Sequence, residues 1–168
     1  MDETVLGNQH ESRSKNVATR YRTTEATIDG PRTDQNDQWT HLTRHLPEVI
    51  ARYLNIARSA NAVDADRIVA CCTADGQVTD VDETIRGSAA IRNWWVESAT
   101  RFRYSMEVLE GQTLAPDRYV VFVRLVGNFP GGVTNFAETF LVRDGLIAEL
   151  NIALTAIGGS ADETPAAI

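Results

Sequence analysis

Apolar residues recur at intervals of three and four from His41 onward, a spacing that predicts helices. A second, shorter helix is predicted within "NAVDADRIVACCTADG", with Gly76 at its end. A third follows in "GSAAIRNWWVESATRF", where Ser88 is a candidate N-cap. The first helix spans about five turns, and its apolar face consists of Leu42, Leu46, Val49, Ile50, Tyr53, Leu54 and Ala57.

Strands are predicted in the rest of the chain, where apolar residues alternate or run together. A short strand, "QVTDV", lies between the second and third helices. Pro130 and Gly131 suit a type II turn, and Asp144 and Gly145 suit a tight hairpin. The four long strands are "RYSMEVLEGQTL", "DRYVVFVRLVGNF", "GVTNFAETFLVRDG" and "LIAELNIAL".

The two ends of the chain differ in composition from the middle. Residues 1–38 are polar with almost no apolar periodicity, so we expect disorder or an arm resting on a partner subunit. Residues 158–168 are small and polar and are expected to form a flexible tail. One domain is therefore predicted over residues 39–157.

The charge of the chain excludes two classes of partner. A net charge of −7 and a pI near 4.9 leave no concentrated basic face for nucleic acid or an anionic membrane. No apolar run approaches the roughly 18 residues needed to cross a bilayer, and the N-terminus lacks the order of a signal peptide. We expect a cytoplasmic protein that binds neither nucleic acid nor membrane.

The cysteines and histidines do not indicate a metal site. Cys71 and Cys72 are adjacent, which is not the spacing of a zinc site or disulfide framework, so they are predicted to be buried free thiols. His10, His41 and His45 have no cysteine or carboxylate at ligand spacing. Neither a metal nor an organic cofactor is predicted.

A helical block followed by long antiparallel strands predicts an α+β fold in which helices cover one sheet face. We expect a curved antiparallel sheet wrapped around a long helix, forming a cone with an apolar pocket. The order of "LPEVIARYLNIARS", "TADG", "QVTDV", "IRGSAAIRNWW" and "FLVRDGLIAELNI" resembles the nuclear transport factor two-like superfamily. Within it, residues 44–155 resemble the SnoaL-like polyketide cyclases and ketosteroid isomerases. The resemblance implies a cystatin-like α+β barrel.

Asp80 is the first candidate for catalysis. In a strand, residues two apart share a face, so Asp80 projects into the cone if Val78 belongs to the core. The alternative is a surface aspartate at the end of the strand. Asp82 and Glu83 are expected in the following loop, in solvent. The resemblance implies that Asp80 matches the general base of ketosteroid isomerase, which lies in a similar "V-x-D" context.

Glu138 is the second candidate, because alternation in "TNFAETFLV" places it between Phe136 and Phe140. A charged glutamate there is costly unless it is paired or protonated. The alternative is the reversed face, with Ala137 and Thr139 inward and Glu138 in water. The resemblance implies that Glu138 lies near the family's neutral acid, which donates a hydrogen bond to an oxyanion in ketosteroid isomerase.

Tyr53 is the third candidate. It stands in an "A-R-Y" context similar to that of the family's oxyanion-holding tyrosine, although an ungapped alignment places Ile56 there instead. A buried tyrosine on an amphipathic helix can also serve packing alone.

The predicted substrate-binding residues are Trp94, Phe122, Arg124, Phe136 and Phe140, of which Arg124 could also point outward.

Together these features predict a cofactor-independent acid-base enzyme, an isomerase or a cyclase, acting on a bulky hydrophobic carbonyl compound. Asp80 would remove a proton next to the carbonyl, and Glu138 and Tyr53 would hold the enolate oxygen. The expected partners are a small hydrophobic molecule and a second copy of the chain in a homodimer. The alternative is a noncatalytic protein of the same fold that binds a small molecule or serves assembly.

Overall fold

The computed structural model describes residues 35–156, which form four helices and one six-stranded sheet. The predicted arm over residues 1–38 lies outside this range except for its last four residues, and so does the predicted tail over 158–168. The helices are α1 (Gln35–Thr43), α2 (Glu48–Ala57), α3 (Ala65–Ala70, preceded by a 3-10 turn over Ala62–Asp64) and α4 (Ser88–Arg101). The strands are β1 (Cys72–Asp80), β2 (Glu83–Arg86), β3 (Tyr104–Ala115), β4 (Arg118–Gly127), β5 (Val133–Arg143) and β6 (Leu146–Leu154).

The strands are ordered β2-β1-β6-β5-β4-β3 across the sheet. Every neighbouring pair is antiparallel except β1 and β6, which are parallel, so the sheet is mixed rather than wholly antiparallel as predicted. Register shifts in three of the pairs bend the sheet, because an extra residue on one strand increases the local twist. The α+β class and the curved sheet are confirmed. One face packs on the helices through the buried side chains of Val78, Val121, Val123, Phe140 and Leu150.

The predicted five-turn helix is two helices, α1 and α2, separated at Pro47. A proline in the helix interior lacks the amide hydrogen for the carbonyl four residues earlier and disfavours helical backbone in the residue before it. Leu46 instead bonds to the Thr43 carbonyl over 2.9 Å, closing a turn. The apolar spacing of α2 is as predicted, with Ile50 and Leu54 fully buried.

The second predicted helix is shorter than expected, because α3 ends at Ala70 and β1 begins at Cys72. Gly76 lies within β1, at the register shift between β1 and β6, rather than ending a helix. A Cβ atom there would lie 2.9 Å from the Thr73 carbonyl oxygen, so glycine is needed for the close approach. The thiols of Cys71 and Cys72 are free, the first buried and the second half-buried.

A short strand that was not predicted, β2, forms a hairpin with the end of β1. Asp80 pairs directly with Glu83, which was expected in a loop. Val81 makes the turn with a φ of 55°. Both Asp82 and Glu83 are exposed, as expected.

The remaining turns follow the sequence closely, with one exception. Asp144 and Gly145 both have positive φ, 54° and 74°, which matches the tight hairpin predicted there. The exception is the start of α4, where Gly87 and not Ser88 occupies the N-cap position, without a side-chain hydrogen bond. Among residues 35–156, no helix is long and apolar enough to cross a membrane.

Candidate active site

Asp80 and Glu138 lie on the helix-covered face of the sheet, on strands separated by β6. Both residues pair in register with Ile152, so the two acids stand on either side of one isoleucine. Neighbouring strands are about 4.8 Å apart, which sets the two acidic residues about 10 Å apart at the backbone. Val121, fully buried, pairs with Glu138 on its other side. Two carboxyl groups therefore face the interior in one row.

Glu138 is buried and forms no ion pair within the part of the chain that the structure describes. The residue is 5% exposed, and its Oε2 atom has no hydrogen-bond partner among residues 35–156. Burial, with a contribution from the charge of Asp80, raises the pKa of Glu138 from 4.5 to about 8. The carboxyl group is therefore protonated at neutral pH and can donate a hydrogen bond.

Asp80 is half-buried at the end of β1 and has a hydrogen-bond donor. The indole Nε1 of Trp94, on α4, donates to Asp80 Oδ2 over 3.0 Å. Burial raises the pKa of Asp80, the Trp94 hydrogen bond opposes this shift, and the nearby charge of Glu83 adds to it. Within residues 35–156, Asp80 has a donor that stabilises its charged form and Glu138 Oε2 has none, so Asp80 ionises first and Glu138 keeps its proton.

Tyr53 approaches the same region from α2. Its ring packs edge-on against fully buried Phe140, with ring centroids 5.6 Å apart and an interplanar angle of 70°. Burial and the charge of Glu138 raise the pKa of Tyr53 well above 10, so its hydroxyl group stays protonated. Phe136 and Phe140 share the face of Glu138, as β5 alternates, and both pack in or against the core cluster.

Tyr104, the first residue of β3, was not predicted as a site residue. Burial, followed by the charges of Glu138 and Asp80, raises the pKa of Tyr104, so its hydroxyl group is in the field of both acids. Alternation along β3 could have revealed it, since Tyr104 shares a face with Met106 and Val108, both buried. Two protonated phenols, those of Tyr53 and Tyr104, are thus influenced by both acids.

Phe122 and Arg124, two of the predicted substrate-binding residues, lie on the sheet face opposite to the two acids. Because side chains alternate along β4, fully buried Val121 and Val123 take the helix-covered face and leave Phe122 and Arg124 on the opposite face. Arg124 pairs there with Asn135 and therefore does not neutralise Glu138. The strand carries apolar residues on both faces, so its sequence alone did not indicate which face is inward.

Two cavities open at the surface, and neither is lined by Asp80 or Glu138. One, about 450 Å³, is lined by residues 59–62, the end of α4 and Tyr104. The other, about 310 Å³, lies between α1 and the β3–β4 pair. The apolar pocket expected around the two acids stays a prediction. Within residues 35–156, no group of three or more histidine, cysteine or acidic side chains is arranged to hold a metal ion.

Several solved structures are similar to this chain. A protein from Sinorhizobium meliloti, proposed to be a polyketide cyclase, is 29% identical; the match covers 65% of this chain and 96% of that one, with a TM-score of 0.58. A protein from Catenulispora acidiphila with a ketosteroid isomerase-like fold, solved in complex with trimethylamine, is 18% identical; the match covers 71% of this chain and 98% of that one, with a TM-score of 0.55. An LEH-like epoxide hydrolase from M. tuberculosis is 14% identical; the match covers 65% of this chain and 81% of that one, with a TM-score of 0.53.

The two relatives below 25% identity show the fold alone. None of the functionally curated proteins compared with the chain matches it. The SnoaL-like domain model matches residues 50–150, which is more than half of the chain; this range runs from within α2 to within β6 and holds the two acids. The chain belongs to the SnoaL-like domain family.

Proposed function

We propose that this protein is an acid-base enzyme that removes a proton next to the carbonyl group of a bulky hydrophobic compound. One observation carries the proposal: Asp80 and Glu138 flank Ile152 on the covered face of the sheet, and buried Glu138 has no ion pair among the described residues. Such a pair provides one carboxylate and one neutral carboxylic acid at the same pH. A base and a hydrogen-bond donor are the two groups that enolate formation requires.

In the proposed reaction, the ionised Asp80 takes a proton from the carbon next to the carbonyl. The electron pair of the broken C–H bond moves onto the carbonyl oxygen, where Glu138 and Tyr53 donate hydrogen bonds to the enolate. If the substrate has a carbon–carbon double bond beside the deprotonated carbon, the product is a dienolate. Asp80 then returns the proton to the far carbon of the dienolate as the carbonyl reforms, which completes an isomerisation. Alternatively, the enolate carbon attacks a second carbonyl of the same molecule, and the alkoxide formed there takes the proton from Asp80, which closes a ring. Neither route consumes an oxidant or reductant, so the two acids and the phenol suffice.

The raised pKa of Asp80 supports its role as the base, because a carboxylate of higher pKa binds the transferred proton more strongly. The 29% identical relative supports the cyclisation branch, since that protein is proposed to be a polyketide cyclase. A general base of this type contributes about 10² to 10⁴ in rate.

A noncatalytic small-molecule-binding protein of the same fold is the second candidate. It is favoured by one observation, which is that neither surface cavity is lined by Asp80 or Glu138. In that case the acids would contribute only to the polarity of the interior.

Deuterium exchange separates the two candidates and does not require the product to be identified. A panel of naphthyl and steroid ketones is incubated with the protein in deuterium oxide, and the loss of the proton signal next to the carbonyl is followed by NMR. We expect catalysed exchange with the wild type and a loss of about 100-fold or more in Asp80→Asn. The matched control is Asp82→Asn, an exposed aspartate two residues away, which should exchange like the wild type. Ketones that bind without exchange would instead support the binding protein.

A further inference from the structure

The cavity of about 450 Å³ lies where three parts of the chain meet. Its walls are residues 59–62 after α2, Ala99 and Thr100 at the end of α4, and Arg103 and Tyr104 at the start of β3. We call it the front cavity. It contains hydroxyl groups and one guanidinium but no carboxylate, which is unusual on a chain whose net charge is −7.

Hydrogen bonds hold the walls of the front cavity together. The indole of Trp95 on α4 donates to the Asn61 carbonyl over 2.9 Å, which ties the helix to the turn. The amide of Met106 on β3 donates to the Arg58 carbonyl over 3.3 Å, which ties the strand to the same turn. The opening is therefore a fixed part of the fold rather than a gap between loose loops.

Tyr104 connects the front cavity with the acids. It lines the cavity, and it also faces the core cluster, where the charges of Glu138 and Asp80 act on its hydroxyl group. Glycine at position 127 permits this placement, because a Cβ atom there would lie 2.7 Å from the Tyr104 Cβ and 2.5 Å from the Arg103 carbonyl oxygen.

Arg103 supplies the charge at the outer wall. Its side chain is exposed, and its guanidinium has no ion pair among the described residues, unlike Arg92 and Arg143, which pair with aspartates. Its backbone amide is fixed by the side-chain oxygen of Asn128 over 2.8 Å. A free guanidinium beside hydroxyl groups matches a carboxylate on a ligand.

We propose that the front cavity is the entrance to the acid pair, that Tyr104 contacts the substrate at its inner wall, and that Arg103 selects substrates with a carboxylate remote from the reacting carbonyl. The substrate class is then a keto acid with a bulky apolar body. The proposal rests on the proposed function, to which it adds the route and the charge of the substrate.

The test uses naphthoylpropionic acid, a fluorescent naphthyl ketone with a carboxylate at the far end of a short chain, and its neutral methyl ester. Binding is measured by fluorescence titration, independently of exchange. The wild type should bind the acid at least about threefold more tightly than the ester, because an exposed ion pair with Arg103 makes a modest contribution to affinity. Arg103→Gln should remove this preference. Equal affinity of the wild type for both probes, or no binding of either, would overturn the selection by Arg103.

The route is tested by blocking each cavity at an exposed position. Thr100→Trp fills the front cavity and should weaken binding of both probes at least tenfold, whereas Ser105→Trp fills the cavity beside α1 and should leave binding unchanged. Similar binding by the two variants would overturn the route.

The contact with Tyr104 is tested by removing only its hydroxyl group. Tyr104→Phe should lower exchange about tenfold while binding the probes within about twofold of the wild type. The control is Tyr119→Phe, whose hydroxyl group donates to the Pro116 carbonyl instead. Unchanged exchange in Tyr104→Phe overturns its contact with the reacting carbonyl. Wild type that binds the probes with these preferences but catalyses no exchange would refute the proposed function and leave the assignment of the entrance intact.

Discussion

The indole of Trp94 donates a hydrogen bond to Asp80 Oδ2 over 3.0 Å and thereby links α4 to the end of β1. The bond holds the carboxylate in one orientation and favours its charged form, which partly offsets the effect of burial on its pKa. Trp94, predicted from the sequence as a substrate-binding residue, is in the structure the donor that positions the proposed base.

Replacing Trp94 with phenylalanine should therefore raise the pKa of Asp80, because the ring remains and the donor is lost. The rate of deuterium exchange rises with pH as Asp80 ionises, and in Trp94→Phe this rise should move to higher pH. The control is Trp95→Phe, which removes an indole that donates to the Asn61 carbonyl instead. In this variant the exchange rate should rise over the same pH range as in the wild type. If the exchange rate rose over the same pH range in Trp94→Phe and in the wild type, the hydrogen bond would have no effect on the pKa of Asp80.

The buried acid Glu138 should make the protein less stable as the pH rises. Its folded pKa of about 8 lies above its ordinary value of 4.5, so between these values the folded state binds more proton than the unfolded state. The stabilisation is fully present below about pH 4.5 and is lost as the pH rises through 8, by at most about 1.4 kcal/mol per pH unit. Urea unfolding of wild type and Glu138→Gln between pH 5 and 9 isolates this effect, since glutamine does not titrate. A constant difference between the two proteins would mean that Glu138 ionises normally.

The same ionisation should limit catalysis at alkaline pH. Above about pH 8 Glu138 loses its proton and can no longer donate to the enolate oxygen, so the exchange rate should fall. Glu138→Gln keeps an amide donor at every pH, and its profile should lack this fall while its rate at neutral pH is lower. We expect Glu138→Ala, which has no donor, to be slower still. If the exchange rate of Glu138→Gln also fell at this pH, the fall would be due to the ionisation of another group.

Tyr53→Phe tests the second proposed oxyanion donor. The ring keeps its edge-on contact with Phe140, so the free energy of unfolding should change by less than about 1.5 kcal/mol. Exchange should fall by about tenfold to 100-fold, because a donor to the enolate is lost. Tyr119→Phe again serves as the control, and full exchange activity in Tyr53→Phe would leave this tyrosine with a packing role only.

Part of the structure could be predicted from the sequence because it depends on local backbone geometry. The alternation of "NFAETF" sets Phe136, Glu138 and Phe140 on one face, because side chains in a strand point to opposite sides in turn. The same rule joins Asp80 to Val78, and "DG" at residues 144–145 marks a hairpin because both positions accept positive φ. These features depend on residues close together in the chain.

Other features arise from contacts between distant segments and were decided only by the tertiary structure. The stretch from Cys72 to Gly76 suits a helix by its spacing, yet it pairs with β6 and becomes strand. Strand β4 is apolar on both faces, so its sequence does not decide which face is inward, and only the strand pairing sets Phe122 and Arg124 opposite to the acids.

The arrangement of the site has the same origin. Asp80 and Glu138 stand on either side of Ile152 because β6, the last strand, inserts between β1 and β5. Tyr104 approaches them because the start of β3 packs beneath the turn after α2. The sequence by itself determined which side chains share a face within a strand, through the two-residue repeat of the extended backbone. Which strands are neighbours, and hence which acids meet, was decided by the tertiary structure through the burial of one sheet face against the helices.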